Sequence, residues 1–207
     1  MQGYILGIKK ARGEDLLVSV LTERSLKTMD RFYGARHSAI NVGYKIDCAG
    51  EPIQNRTLLR LRDVTHLGFS WLFEREKLSA WQRFCSLLHE HLKDIDEHNG
   101  YYYTLLDTLA QKMERGSSKR ILVEGYLAML EHEGRYHPPT RCFFCGETIQ
   151  KTEAVALVRG FLPAHERCVF TPGFHFQKLS HFFTEKDTIF FEPNEVESLF
   201  QIMCQGF

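Results

Sequence analysis

The sequence predicts an α+β chain: an N-terminal five-stranded β-barrel, followed by an α-helical domain that carries a zinc-binding knuckle. Three observations support this. Short β-leaning runs broken by turn residues fill the first seventy of 207 residues. Beyond Phe69, apolar residues recur every three or four positions. Late in the chain stand two pairs of metal-type ligands, each pair spaced by two residues. The expected domains are residues 1–70 and 71–207, with the knuckle inserted at about 140–170.

The strands come first. "GYILGIKK" holds a short apolar run, and "ARGED" supplies a turn. "LLVSVLTE" is rich in Leu and Val and bounded by charge. "LKTMDRFYGAR" alternates imperfectly, and "INVGYKIDCAGEP" ends in a turn-forming Gly-Glu-Pro. "TLLRLRDV" alternates cleanly, with Leu59 and Leu61 on one face and Arg60 and Arg62 on the other. Five short strands in about seventy residues fit a small barrel. The oligonucleotide-binding (OB) type is the natural candidate, and an SH3-like barrel gives nearly the same pattern.

The period then changes. Trp81, Phe84, Cys85, Leu88, Leu92 and Ile95 share a helical face, with Ser79 as the expected N-cap. Tyr102, Leu105, Leu106, Leu109 and Met113 repeat the pattern behind Asn99. Ser118 opens a third helix containing Leu122, Tyr126, Met129 and Leu130, stopped by Gly134 and Pro138-Pro139. A last helix runs through "EPNEVESLFQIM", with Pro193 in its first turn and Val196, Leu199, Phe200 and Met203 on one face.

Composition narrows the function. Hydrophobic content of 43% and charged content of 25% are ordinary for a soluble protein. No apolar run reaches membrane-spanning length, and "MQGYILGIKKARGED" turns charged too early for a secretory signal, so the cytoplasm is the expected location. The net charge of zero hides an asymmetry. Residues 1–62 carry 11 Lys+Arg against 6 Asp+Glu, or +5, while residues 142–207 carry 5 against 8, or −3. A basic N-terminal barrel is compatible with polyanion binding, and equally with a merely solvated surface. Its candidate DNA contacts are Lys9, Lys10, Arg12, Arg24, Lys27, Arg36, Arg60 and Arg62, with Arg31, Lys45 and Arg56 also basic. Tyr4, Phe32, Tyr33 and Tyr44 interleave with them as candidates for base stacking; the alternative is that they fill the barrel.

The cysteines are scattered except in "RCFFCGE". Cys142 and Cys145 can both turn their sulfurs toward one ion, and Gly146 permits a sharp bend behind them. "LPAHERC" supplies a second pair, His165 and Cys168. The pattern C-x₂-C-x₁₉-H-x₂-C is close to that of structural zinc sites. Its competitors are a redox pair, which wants a βαβ setting this stretch lacks, and a metal-free turn. Four protein ligands leave no open coordination position, so the expected zinc is structural. "HEHLKDIDEH" gathers His89, His91, Asp94, Asp96 and His98, but not at H-E-x-x-H spacing, and reads as a solvated helix face. Neither a phosphate-binding Gly-rich loop nor a G-x-S-x-G elbow occurs, and no enzyme site emerges.

The order of these pieces resembles the bacterial RecO recombination mediator family. The resemblance rests on "GYILGIKKARGEDLLVSVLTE" at the start and on Leu130, Gly134, Pro138, Cys142, Cys145 and Gly146 leading into the ligand pair. It implies a monomeric, non-catalytic, nucleoid-associated protein that binds single- and double-stranded DNA and anneals complementary strands. It also implies contact with the acidic C-terminal tail of single-strand-binding protein, and RecA loading together with RecR. Many relatives have Cys where His165 stands here, and neutral imidazole ligates zinc as well. Two other readings compete with this one. One is an interaction adaptor whose barrel binds a peptide or subunit. The other is a zinc hydrolase or deaminase using Glu147 or Glu166, which would require an open metal position.

Overall fold

The computed structural model describes residues 1–33, 39–54, 57–95 and 98–207, and the statements below concern these. The chain forms two compact units, Met1–Arg115 and Gly116–Phe207.

In the first unit, β1 (Gln2–Lys10), β2 (Leu16–Leu21), β3 (Leu26–Arg31), β4 (Lys45–Pro52) and β5 (Leu59–His66) close into a barrel of order β1-β2-β3-β5-β4. All neighbours are antiparallel except β3 and β5. That order with one parallel contact is of the OB type, and it decides against a simple meander. Alternation explains the core: Leu16, Val18 and Val20 of β2 point inward to meet Ile5, Met29, Ile46, Cys48 and Leu61.

Two helices complete this unit, α1 (Arg75–Leu92) and α2 (Tyr101–Lys112). Ser79 lies inside α1 and does not cap it. The run Arg-Glu-Lys-Leu consists of good helix formers, so the helix starts at Arg75, behind Glu74. Trp81 of α1 is wholly buried, and its indole N–H donates to the Gly43 carbonyl at 2.7 Å. Gly43 has φ +86°, and a Cβ there would lie 2.5 Å from the indole, so only glycine fits. Tyr4 faces the helices with no exposed surface, its ring edge-on to Trp81 and Tyr103. Its hydroxyl donates to Asp107 of α2 at 2.6 Å, and Lys45 of β4 donates to the same oxygen at 2.7 Å. The Tyr4–Asp107–Lys45 cluster thereby ties α2 to two strands of the barrel.

The second unit begins with α3 (Ser118–His132), which ends as expected before Gly134 (φ +69°). A small sheet follows, β6 (Ala154–Val158), β7 (Leu162–His165) and β8 (Phe174–His175), in order β7-β6-β8. The short helix α4 (Glu166–Val169) follows β7, and α5 (Phe176–Glu185) follows β8. The closing helix α6 (Pro193–Met203) packs on α3 and has the expected face Val196, Leu199, Phe200 and Met203. Glu192 and Glu195 form a capping box at its start. The helical periodicity read from the sequence does not include the three-stranded sheet or α5. The apolar runs of β6 and β7 are too short and too uniform to show a period, whereas α5 does carry helical spacing in Phe176, Leu179, Phe182 and Phe183, a signal the sequence reading did not use. Among the described residues, no helix is long and apolar enough to cross a membrane.

Candidate metal centre and nucleic-acid interface

The metal-type cluster is assembled from two turns. The first spans residues 141–148, where Arg141 and Thr148 pair as an isolated antiparallel bridge. The Gly146 N–H donates to the Cys142 carbonyl at 2.9 Å, closing the turn that carries Cys142 and Cys145. Gly146 adopts φ +73°, the left-handed region that its position behind Cys145 predicts. The Phe143 N–H donates to the Pro163 carbonyl at 2.8 Å, docking this turn on β7. The second half begins at the end of β7. His165 pairs with Val155 of β6 and precedes α4, and Cys168 lies one helical turn further on.

The ligand atoms of Cys142, Cys145, His165 and Cys168 all lie within 4.8 Å of one another. Nδ1 of His165 is 3.4 Å from the Cys145 sulfur and 3.9 Å from that of Cys168. A tetrahedral zinc with bonds of about 2.0–2.3 Å has ligand–ligand edges of about 3.5–3.8 Å, so the cluster is already close to that size. Three sulfurs and one imidazole suit zinc in a closed structural site. His165 is therefore in place beside the three thiols. It is 3% exposed and has Nδ1 toward the sulfurs. Nε2 points the other way, 3.7 Å from Glu153. That is too long for a hydrogen bond but places a carboxylate behind the ligand, as metal-binding histidines generally have. Arg167 holds this carboxylate at 3.4 Å and Glu147 at 3.0 Å, and the Gln150 N–H donates to it at 2.7 Å. The Gln150 amide is the main cause of Glu153's depressed pKa, with His165 and Arg167 adding to it.

The thiols differ. Burial works against ionising Cys142, but amides of Cys145, His165 and Phe144 outweigh it and bring its pKa down to about 6. Burial, then the neighbouring thiols Cys142 and Cys145, pushes Cys168 up to about 11. A bound divalent cation would reverse that repulsion and favour all three thiolates. Both carboxylates that the hydrolase reading would use are engaged elsewhere, although Glu147 lies 3.9 Å from the Cys145 sulfur. Glu147 is tied to Arg167, and Glu166 accepts the Gly173 N–H at 2.6 Å. Among the described residues, this is the one group of His, Cys, Asp or Glu side chains placed to hold an ion; His89, His91, Asp94 and His98 form none, and Asp96 lies outside the described residues.

The candidate DNA contacts divide between regions of the barrel. Lys10, Leu16 and Arg31 fall in one cross-strand row, and Asp30 lies beside Arg60. Lys9, Lys10, Arg12, Arg31, Arg60 and Arg62 thus collect toward the β1–β2 turn. Phe32 and Tyr33 stand there too, 40% and 61% exposed. The Tyr33 N–H is held by Asp15 of that turn at 3.0 Å. Arg24 of the β2–β3 turn and Lys27 at the start of β3 stand at the other end of those strands, beside a hollow shared with Tyr103. Arg36 and Arg56 lie outside the described residues. Two of the four aromatic candidates fall away: Tyr4 is core, and Tyr44 is half-buried with its ring stacked on His66 at 4.2 Å. Arg31, basic but outside the candidate contacts in the sequence reading, holds the barrel edge together. Its Nη1 donates to the Leu61 carbonyl at 2.8 Å, joining β3 to β5. Only its position at the end of an alternating strand could have marked it.

Residues 1–72 match the family model described as RecO N terminal, a span that takes in the whole barrel. No curated protein matches the chain. A RecO-type role in recombination or repair is the coarse reading that this match suggests. The N-terminal match supports a RecO-family protein.

Proposed function

We propose that this chain is a non-catalytic recombination mediator whose barrel binds single- and double-stranded DNA and anneals complementary strands. The observation that carries the reading is the hollow lined by Arg31, Phe32, Arg60 and Arg62, with Lys10 in the cross-strand row that ends at Arg31 and Tyr33 exposed nearby, on a barrel matching the RecO N-terminal family. Cationic side chains neutralise phosphate and release counterions, and exposed rings stack on bases without reading sequence. Annealing follows when one surface lowers the repulsion between two strands and holds their bases accessible. Lys9 and Arg12 extend the row, and Arg24 and Lys27 offer a second contact for the strand. RecR, RecA through RecR, and the acidic tail of single-strand-binding protein are the partners this reading implies, in the cytoplasm.

In the same reading Cys142, Cys145, His165 and Cys168 hold Zn²⁺. The ion would supply cross-linking in place of a larger core, since the turn at 141–148 keeps Phe143 and Phe144 each 59% exposed and buries little besides Cys142 and Ile149. Glu153, steadied by Arg167, orients the imidazole.

The test is a salt titration of binding to single-stranded oligonucleotides of unrelated sequence, with metal content measured on the same sample. About five phosphate contacts predict a log–log slope near −3.5 and similar affinity for all sequences. Tight binding that ignores salt refutes the DNA reading. Substoichiometric zinc in protein purified without chelators refutes the metal assignment.

A further inference from the structure

We propose that Phe32 and Arg60 form an exchange site in which a nucleobase displaces the Arg60 guanidinium from the Phe32 ring, making this end of the barrel selective for single-stranded over duplex DNA. The inference rests on the DNA-binding reading above and goes beyond it by naming the residues that tell the two forms apart.

The Arg60 guanidinium carbon lies 4.5 Å from the centre of the Phe32 ring, covering one face of a side chain that is 40% exposed. Among the described residues no carboxylate pairs with Arg60. Glu51 lies directly opposite it in the β4–β5 ladder, yet that carboxylate goes to Arg62 at 3.3 Å. The Nε–H groups of Arg60 and Arg31 are both shielded from solvent and donate to no acceptor among the described residues. Unpaired guanidinium donors in a sheltered place are costly, and a phosphate oxygen is the group that satisfies them best. Arg31, Phe32, Arg60, Leu61 and Arg62 line a hollow of about 240 Å³. That is below the size of clefts enclosing whole small molecules, about 300–1,000 Å³, and suits one base edge or one phosphate of a longer strand.

An exposed cation–π contact is weaker than stacking of a base on the same ring, so the exchange runs toward the nucleic acid. The displaced guanidinium remains tethered to β5, within reach of the phosphate that follows the stacked base, with Arg31 beside it. A duplex keeps its bases stacked on one another and offers no free face to Phe32. It can use the cations but not the ring. The site therefore discriminates by strandedness and not by sequence.

The test compares binding of a 2-aminopurine-labelled single strand and of the matched duplex, at one salt concentration, by wild type and by Phe32→Ala, Phe32→Leu and Phe32→Trp. Phe32→Ala should weaken single-strand binding about 5- to 100-fold and duplex binding by less than about twofold. Phe32→Leu keeps the bulk and removes the aromatic face, so it should behave like Phe32→Ala. Phe32→Trp should restore both affinity and quenching of the aminopurine. Arg60→Gln should lower the single-strand salt slope by about 0.7. Equal losses on both DNA forms, or a Phe32→Leu variant that binds like wild type, overturn the exchange site while leaving DNA binding in place. A wild-type protein that binds neither form overturns the DNA-binding reading and this proposal together.

Discussion

Reversing the charge of Arg60 and Arg62 together is the sharpest perturbation of the barrel surface, because its costs to folding and to binding differ in size. Arg62 meets Glu51 at 3.3 Å, with both side chains about half exposed, and such a pair contributes at most about 1 kcal/mol. Arg60 gives up one exposed cation–π contact worth about 0.5–1 kcal/mol. Two new carboxylates beside Glu51 add repulsion that solvent and salt largely screen. The folding cost of R60E/R62E is therefore about 1–2 kcal/mol, small beside the 5–15 kcal/mol of a typical domain. Binding suffers more. Two lost phosphate contacts reduce the salt slope on single strands by about 1.4, and two added negative charges oppose the strand directly. The expected outcome is at least a tenfold loss of affinity at moderate salt, with a nearly unchanged thermal transition. Fluorescence anisotropy with a labelled oligonucleotide over a salt series reads the first, and circular dichroism reads the second. Unchanged affinity and slope in a folded protein would remove the β5 surface from the interface.

Other perturbations test the supports of these sites. Asp107→Ala strips the acceptor from the buried Tyr4 hydroxyl and from Lys45, and should cost about 2–4 kcal/mol in urea unfolding. Adding Tyr4→Phe should recover part of that, and a cost below about 0.5 kcal/mol would contradict the role given to this cluster. Burial tends to raise the Glu195 pKa, but Lys178 at 2.7 Å and the Glu192 N–H prevail and depress it. Its contribution is therefore present above its ordinary value near 4.5 and is lost as pH falls through the lower folded value. Glu195→Gln should destabilise by about 1 kcal/mol at pH 7, with the difference shrinking as pH falls below the ordinary carboxylate value; a pH-independent difference would point to packing instead. Glu153→Gln leaves the four candidate metal ligands intact, and should weaken metal retention about 10- to 100-fold against a chromophoric chelator. Equal retention would deny Glu153 its place behind His165.

How far the sequence reaches depends on whether a feature is periodic or pairwise. β5 alternates, so its inward face could be read directly, and the Leu59/Leu61 and Arg60/Arg62 split gave the outward cations with it. The metal cluster was legible for a related reason: a two-residue spacing fixes each ligand pair locally, and only the meeting of the two turns required the fold. His165 illustrates the difference. Its sequence distance from Cys145 says nothing, but antiparallel pairing of β6 with β7 and docking of Phe143 on Pro163 bring its Nδ1 to 3.4 Å from that sulfur. The aromatic residues were not legible in this way. Tyr4 and Phe32 both sit among basic residues in the sequence, yet one is the buried hinge of a Tyr–Asp–Lys cluster more than a hundred residues wide and the other is an exposed ring. What separates them is the company on the outer face of each strand. β1 is covered by α1 and α2, so an outward-facing aromatic on it becomes core. Phe32, one residue past the end of β3, stays exposed beside Arg60. Tyr4 is thus removed from the surface by the helices over β1, and Tyr44 by its packing on the barrel core and on His66, which leaves Phe32 and Tyr33 as the exposed aromatic candidates among the residues described.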